Sequence, residues 1–188
     1  MVYLWEIPNE YPERFIGDYD RKNSPDRFLF KKGEVLPLEL RRPIINYDAS
    51  IQELRQSDDL SNNSMIPVVS KRLAEALLKF SPNDIQLIDV LIAAQDGLIE
   101  DYKILNIVNK VIGINKDESQ IIYISGTSQI RGFKYLSYQE GCLKEHHLAR
   151  DAEYSSNLLI SEQLAEHLLT LKLKNVGLYL PDQVYGPK

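Results

Sequence analysis

The sequence predicts an α+β fold: a largely antiparallel meander sheet, two equivalent amphipathic helices and an irregular N-terminal lobe. Three observations lead there. Two Ser-led, Leu-rich segments recur 91 residues apart, VVSKRLAEALL at 68–78 and LISEQLAEHLL at 159–169. Between them lie short apolar runs joined by tight turn formers, the pattern of antiparallel pairing. The 188 residues are 44% hydrophobic and 26% charged, with nine Gly and nine Pro. That balance supports one good core and excludes fibrous or wholly disordered chains.

Residues 1–64 are rich in Pro, Asp, Asn and Tyr, with short apolar pieces at 28–30 and 44–47. They read as an irregular lobe with a few short strands. The polar stretch QSDDLSNNS at 56–64 reads as a linker or mobile loop. A core domain is expected over 65–188. It opens with a short strand at Val68-Val69, followed by a helix whose N-cap is Ser70 and whose apolar stripe is Leu73, Ala74, Leu77 and Leu78. Pro82 stops this helix, because a proline cannot extend the hydrogen-bond ladder.

Residues 85–94 then form an apolar strand, Gln95-Asp96-Gly97 a turn, and residues 102–114 a returning strand. NKDES at 115–119 turns the chain again, ahead of strands at 121–125 and 129–138. The second Ser-capped helix, led by Ser161 with Leu164, Ala165 and Leu168, precedes a last strand at 176–180. The two helices match at Ser70 and Ser161, Leu73 and Leu164, Ala74 and Ala165, Glu75 and Glu166, Leu77 and Leu168, and Leu78 and Leu169. A true duplication and convergence on a common strand-helix-strand unit both account for this, and both predict two equivalent helices on one sheet.

Charge and composition narrow the function classes. Lys plus Arg number 22 against 27 Asp plus Glu, a formal charge of −5. No basic stripe stands out of the kind that phosphate neutralisation needs, so nucleic acid is not an expected partner. The single Cys142 excludes an internal disulfide and any multi-thiolate cluster, which fits a reducing compartment. No apolar run is long enough to span a bilayer, and the first ten residues lack a basic residue, so a cytoplasmic protein without membrane contact is expected.

Catalytic signals are sparse. Cys142, Glu145, His146, His147 and Asp151 form the one cluster from which a nucleophile and base can be drawn, yet the local letters match no nucleophile motif. Adjacent histidines diverge on either a helix or a strand, which disfavours a shared metal. The acidic turns lack the alternating oxygen ligands of a calcium loop, and the glycines form neither GxGxxG nor GxxxxGK[ST]. No cofactor, metal or catalytic residue is therefore assigned. Tyr3, Trp5, Tyr11, Tyr19 and Tyr47 crowd the first quarter, where they serve either as interface anchors or as the closure of a loop-rich lobe.

The order of features over 66–180 resembles the immunity protein family of bacterial polymorphic toxin systems. The resemblance is carried by IPVVSKRLAEALL, YKILNIVNKVIGINKDES, HHLARDAEYSSNLLISEQLAEHLL and NVGLYL, and by Ser70, Leu73, Gly97, Tyr102, Leu105, Asn106, Ser119, Ser161, Leu164 and Gly177. Asn115 departs from the Asp that the family pattern leads one to expect. The resemblance implies a non-enzymatic bacterial protein that binds and neutralises a cognate toxin domain. The competing readings are a small Cys/His-dependent hydrolase or transferase and a regulatory scaffold subunit, and a homodimer stays open. For toxin binding, the exposed turns point to Asp96, Glu100, Asp101 and Tyr102 on one hairpin and Asp117 with Glu118 on the next, a charged rim around an aromatic anchor.

Overall fold

The computed structural model describes residues 1–186. In chain order its elements are β1 (Val2–Glu6), β2 (Asp18–Tyr19), β3 (Ile44–Asn46), α1 (Ile51–Leu54), β4 (Asp59–Leu60), β5 (Val68–Val69), α2 (Lys71–Phe80), β6 (Ile85–Asp89), β7 (Leu91–Ala94) and β8 (Gly97–Ile99). There follow β9 (Lys103–Ile107), β10 (Lys110–Val111), β11 (Gln120–Tyr123), β12 (Ile130–Tyr135), β13 (Leu148–Asp151), β14 (Leu158–Ser161), α3 (Glu162–Thr170), β15 (Gly177–Tyr179) and α4 (Pro181–Val184). The α+β class holds, but the strands divide among four sheets, ordered β10-β13-β14-β1-β15, β4-β5-β9-β6, β2-β3-β7-β8 and β11-β12. Two pairings, β10 with β13 and β3 with β7, are parallel.

The two helices form where the sequence places them. α2 is built from strong helix formers with no β-branched residue, and the Ser70 hydroxyl accepts from the Leu73 amide. Ser161 does the same for Leu164 at the head of α3. Leu73, Ala74 and Leu77 of one helix and Leu164, Ala165 and Leu168 of the other are buried in a single shared core.

The internal repeat extends to strand register. β5 and β6 flank β9 and run antiparallel to it, while β14 and β15 flank β1 in the same way. Val68 and Ile88 both face Ile104, and Leu159 and Tyr179 both face Leu4. β4 sits beside β5 as β13 sits beside β14. Each unit is thus a strand, a helix and a parallel strand with an antiparallel strand slotted between. The first unit takes its slotted strand from the chain that follows it, the second from residues 2–6.

The units grip each other reciprocally. Asp84, after α2, accepts from the His147 and Leu148 amides at the start of β13. After α3, the Lys174 carbonyl accepts from the Asp58 amide and the Asn175 side chain donates to Ser57 at the start of β4. Such exchange is the geometry of an isologous contact.

The two sheets on which α2 and α3 pack, β4-β5-β9-β6 and β10-β13-β14-β1-β15, have buried residues on both faces. Val69, Leu105 and Ile107 meet the helices on one side of β4-β5-β9-β6, while Val68, Leu60 and Ile104 enter a second core with Tyr19, Phe30, Ile45 and Ile92 on the other. Trp5 and Ile160 likewise face the helices, and Leu4 and Leu159 face a third core with Phe133 and Leu136. Two-sided burial gives continuous apolar runs, which is why several strand expectations need correction. The run at 85–94 breaks at Val90, where the chain leaves β6 in one sheet for β7 in another. The run at 102–114 divides into β9 and β10 for the same reason. Gly97 starts the returning strand of the β7-β8 hairpin, ahead of the expected start at Tyr102.

The segment at 56–64 is not a mobile linker. Ser57, Asp58, Asp59, Leu60, Ser61, Asn62 and Ser64 are all buried, and β4 within it pairs with β5 across the expected domain boundary at 64/65. Its polar groups are tied down. Asp58 accepts from Ser70, Arg72 and the Lys174 amide, and these bonds outweigh burial to hold its carboxyl below the usual range. Asp59 accepts from the Trp5 indole at 2.6 Å, which links β4 to β1 and so the two sheets that carry the helices. Of the aromatic residues of the first quarter, Trp5, Tyr19 and Tyr47 are buried and belong to cores. Gly177 answers a close approach: a Cβ there would collide with the Glu6 carbonyl on the neighbouring strand β1.

Leu77→Asp or Leu168→Asp should destabilise by several kcal/mol, as an unpaired charge in the helix core, while Lys71→Asp on the exposed face should stay within about 0.5 kcal/mol; urea midpoints of the three variants decide this.

A second expectation concerns Asp59, whose carboxyl burial pushes up to about 7. Its folded value exceeds the ~3.9 of an unfolded Asp, so its contribution is fully present below about pH 4 and is lost as pH rises towards 7, with a ceiling near ~4 kcal/mol. Asp59→Asn keeps an acceptor for Trp5, and thermal melts should show it gaining on the wild type between pH 5 and 8. A pH-independent difference would count against the buried acid.

Candidate functional site

The acidic residues at 96–101 do not stand free. Asp96 accepts from the Ile51 amide at 2.7 Å and so caps α1. Glu100 pairs with Arg42 at 2.8 Å and Asp101 with Arg55 at 2.7 Å. Tyr102 is 3% exposed, and its hydroxyl donates to the Leu54 and Ser57 carbonyls at 3.0 and 2.5 Å. It anchors α1 and the buried polar segment to β9, so it offers a partner no ring. An exposed phenol and a buried one look alike in sequence, because the acceptors here come from residues 45 and 48 positions away.

Asp117 and Glu118 lie elsewhere, on the connection from β10 into β11. Glu118 accepts from Ser137 at 2.8 Å, while Asp117 has no hydrogen bond or ion pair among the described residues. The structure therefore separates the six residues into two regions on different sheets.

The Cys142 neighbourhood does not assemble a nucleophile. The thiol is buried, and burial with the nearby Asp151 carboxylate pushes its pKa up, away from the reactive thiolate. The His146 ring bonds to Asp84 at 2.8 Å and the His147 ring to Ser161 at 2.9 Å. Glu145 lies 3.9 Å from the far nitrogen of His146. Ser, His and Asp side chains are close together here, but the ring on Ser161 is not the ring on Asp84. Ser161 also spends its oxygen on the α3 cap. Asp151 serves the fold, accepting from Tyr138 and from the Glu153 and Tyr154 amides.

Two surface features were not legible in the sequence. The first is an open groove of about 550 Å³ between the N-terminus, residues 135–141 and the start of α4. Its acidic lining comes from Glu140, Glu162 and Asp182, with Glu162 engaged by the Met1 amine at 3.3 Å. The second is the β11-β12 hairpin. β11 pairs only with β12 among the described residues, and Ile122, Tyr123 and Ile124 are 37%, 48% and 40% exposed. The run IIYI could be read from the letters; that its outer edge is unpaired could not.

The burial of the Tyr102 hydroxyl yields a test. Tyr102→Phe should cost about 1–3 kcal/mol by leaving acceptors short of a donor; chemical denaturation reads the loss, and an unchanged midpoint would return Tyr102 to the surface candidates.

A scan against protein-family models matches residues 10–180 to the immunity protein family (Imm11). A search of curated proteins finds no match. The matched span runs from before β2 through β15 and includes both helices α2 and α3 and the hairpin, with β1 lying before it. On that span, the chain belongs to the immunity protein family (Imm11).

Proposed function

We propose that this chain is a bacterial, cytoplasmic immunity protein that binds the toxic domain of a cognate polymorphic toxin and neutralises it by occupation, without a reaction of its own. The observation that carries the reading is the family match over residues 10–180. The site chemistry is in keeping with it: the Cys142 thiol is held protonated, and the Ser161 hydroxyl serves as a helix cap. No helix among the described residues is long and apolar enough to cross a membrane. A net charge of −5 favours encounter with a basic partner surface.

Co-expression tests the reading. A host producing the toxin domain encoded beside this chain should survive when the chain is supplied, and Cys142→Ala combined with His146→Ala should protect as well as the wild type. Loss of protection by a double variant that still folds and still binds the toxin would put the enzyme reading first.

A further inference from the structure

The two edges of the β11-β12 hairpin are built differently. Gln120 faces Tyr135 and Ile121 faces Phe133, which leaves Lys134 as an extra residue on β12; Ile122 faces Gly132 and Tyr123 faces Ile130, which leaves Arg131 as another. Both irregularities therefore fall on β12, and each coincides with an exposed cation. Bulges and charges are the means by which proteins keep an edge strand from pairing. β11 has neither: it is regular and uncharged, and Ile122 and Tyr123 within it and Ile124 just past its end are consecutive exposed apolar residues. The Ile124 amide donates inward to Gln129 at 2.9 Å. By two-residue alternation, the amides of Ile121 and Tyr123 point outward, away from β12.

Resting on the reading that the chain binds a toxin domain, we propose that the outer edge of β11 is the docking seam, and that an extended segment of the toxin adds to it as a third strand. The occupant has apolar side chains at alternate positions, to lie over Ile122 and Ile124. It has a Lys or Arg at the end beside Asp117, the carboxylate at the entry to β11 that has no hydrogen bond or ion pair among the described residues. A second copy of this chain fits less well. Symmetric antiparallel pairing through those outward amides, centred on Ile122, sets Asp117 opposite Thr127, with no cation to meet it, and brings together two chains of charge −5.

The test uses the full chain and the neighbouring toxin domain carrying an inactivating substitution. Tyr123→Pro removes an outward amide, a change that edge strands accept because no internal bond is lost. It should weaken toxin binding by more than 100-fold, with the melting temperature little changed. Tyr123→Ala, which keeps the amide, should weaken it far less, and Arg131→Glu on the opposite edge should have no effect. In the wild-type complex, hydrogen exchange at Ile121 and Tyr123 should slow markedly, a readout that needs no variant to fold. Wild-type binding by a folded Tyr123→Pro variant, or unprotected amides in the complex, would overturn the seam alone. Loss of self-association with toxin binding intact would assign the edge to a second copy and also overturn it. Failure of the wild type to bind the toxin domain would overturn the immunity reading together with the seam.

Discussion

The slot between β14 and β15 is the constraint on which the rest of the structure depends. These two strands run parallel, joined through α3, and neither touches the other; β1 lies antiparallel between them and supplies both ladders. Leu4, at its centre, is fully buried among Ile114, Phe133, Leu136 and Leu159, and Trp5 faces the helices from the opposite side. Residues at one end of the chain therefore complete a sheet whose other strands lie more than 100 residues away. Contacts of such separation are slow to close, since loop entropy is lost before the ladder repays it. The first unit closes its own slot with β9, which makes it the part able to form earlier.

Once β1 is seated, the polar centre follows. Trp5 meets Asp59, β4 meets β5, and the loop after α3 closes over Asp58 and Ser57. Arg150 has the matching burial in the second unit: it is 1% exposed and donates to the Ser155 and Phe30 carbonyls, and loss of water pulls its pKa down to about 10. Polar groups in such places are costly unless bonded, so each one specifies which segments must lie together.

This division of labour bears on function. Carboxylates that look available for a partner are absorbed by the fold: Asp58 holds α2 to the loop after α3, Asp84 holds β13, and Asp96 caps α1. The His, Ser and Asp side chains near Cys142 are likewise occupied by caps and strand starts. What is left over is surface, with the hairpin edge and the acidic groove as its least engaged parts. For a protein of an immunity family, recognition by surface is the economical use of such a scaffold, because it asks no strain or pKa tuning of the core.

The sequence by itself determined what is local. Ser70 and Ser161 announce their helices because a cap and a three-to-four residue apolar stripe are decided within one turn of chain. The hairpin of β11 and β12 and the turn at Asp96 are legible for the same reason. The family was legible too, through the order of those motifs. Only the tertiary structure decided which sheet each strand joins, that residues 57–62 and Ser64 are interior, and that Tyr102 and most of the turn carboxylates are occupied. Those outcomes rest on partners tens of residues away, such as Trp5 for Asp59 and Leu54 for Tyr102. Polarity alone does not reveal them, because a polar side chain is written the same way whether water or a distant backbone group satisfies it.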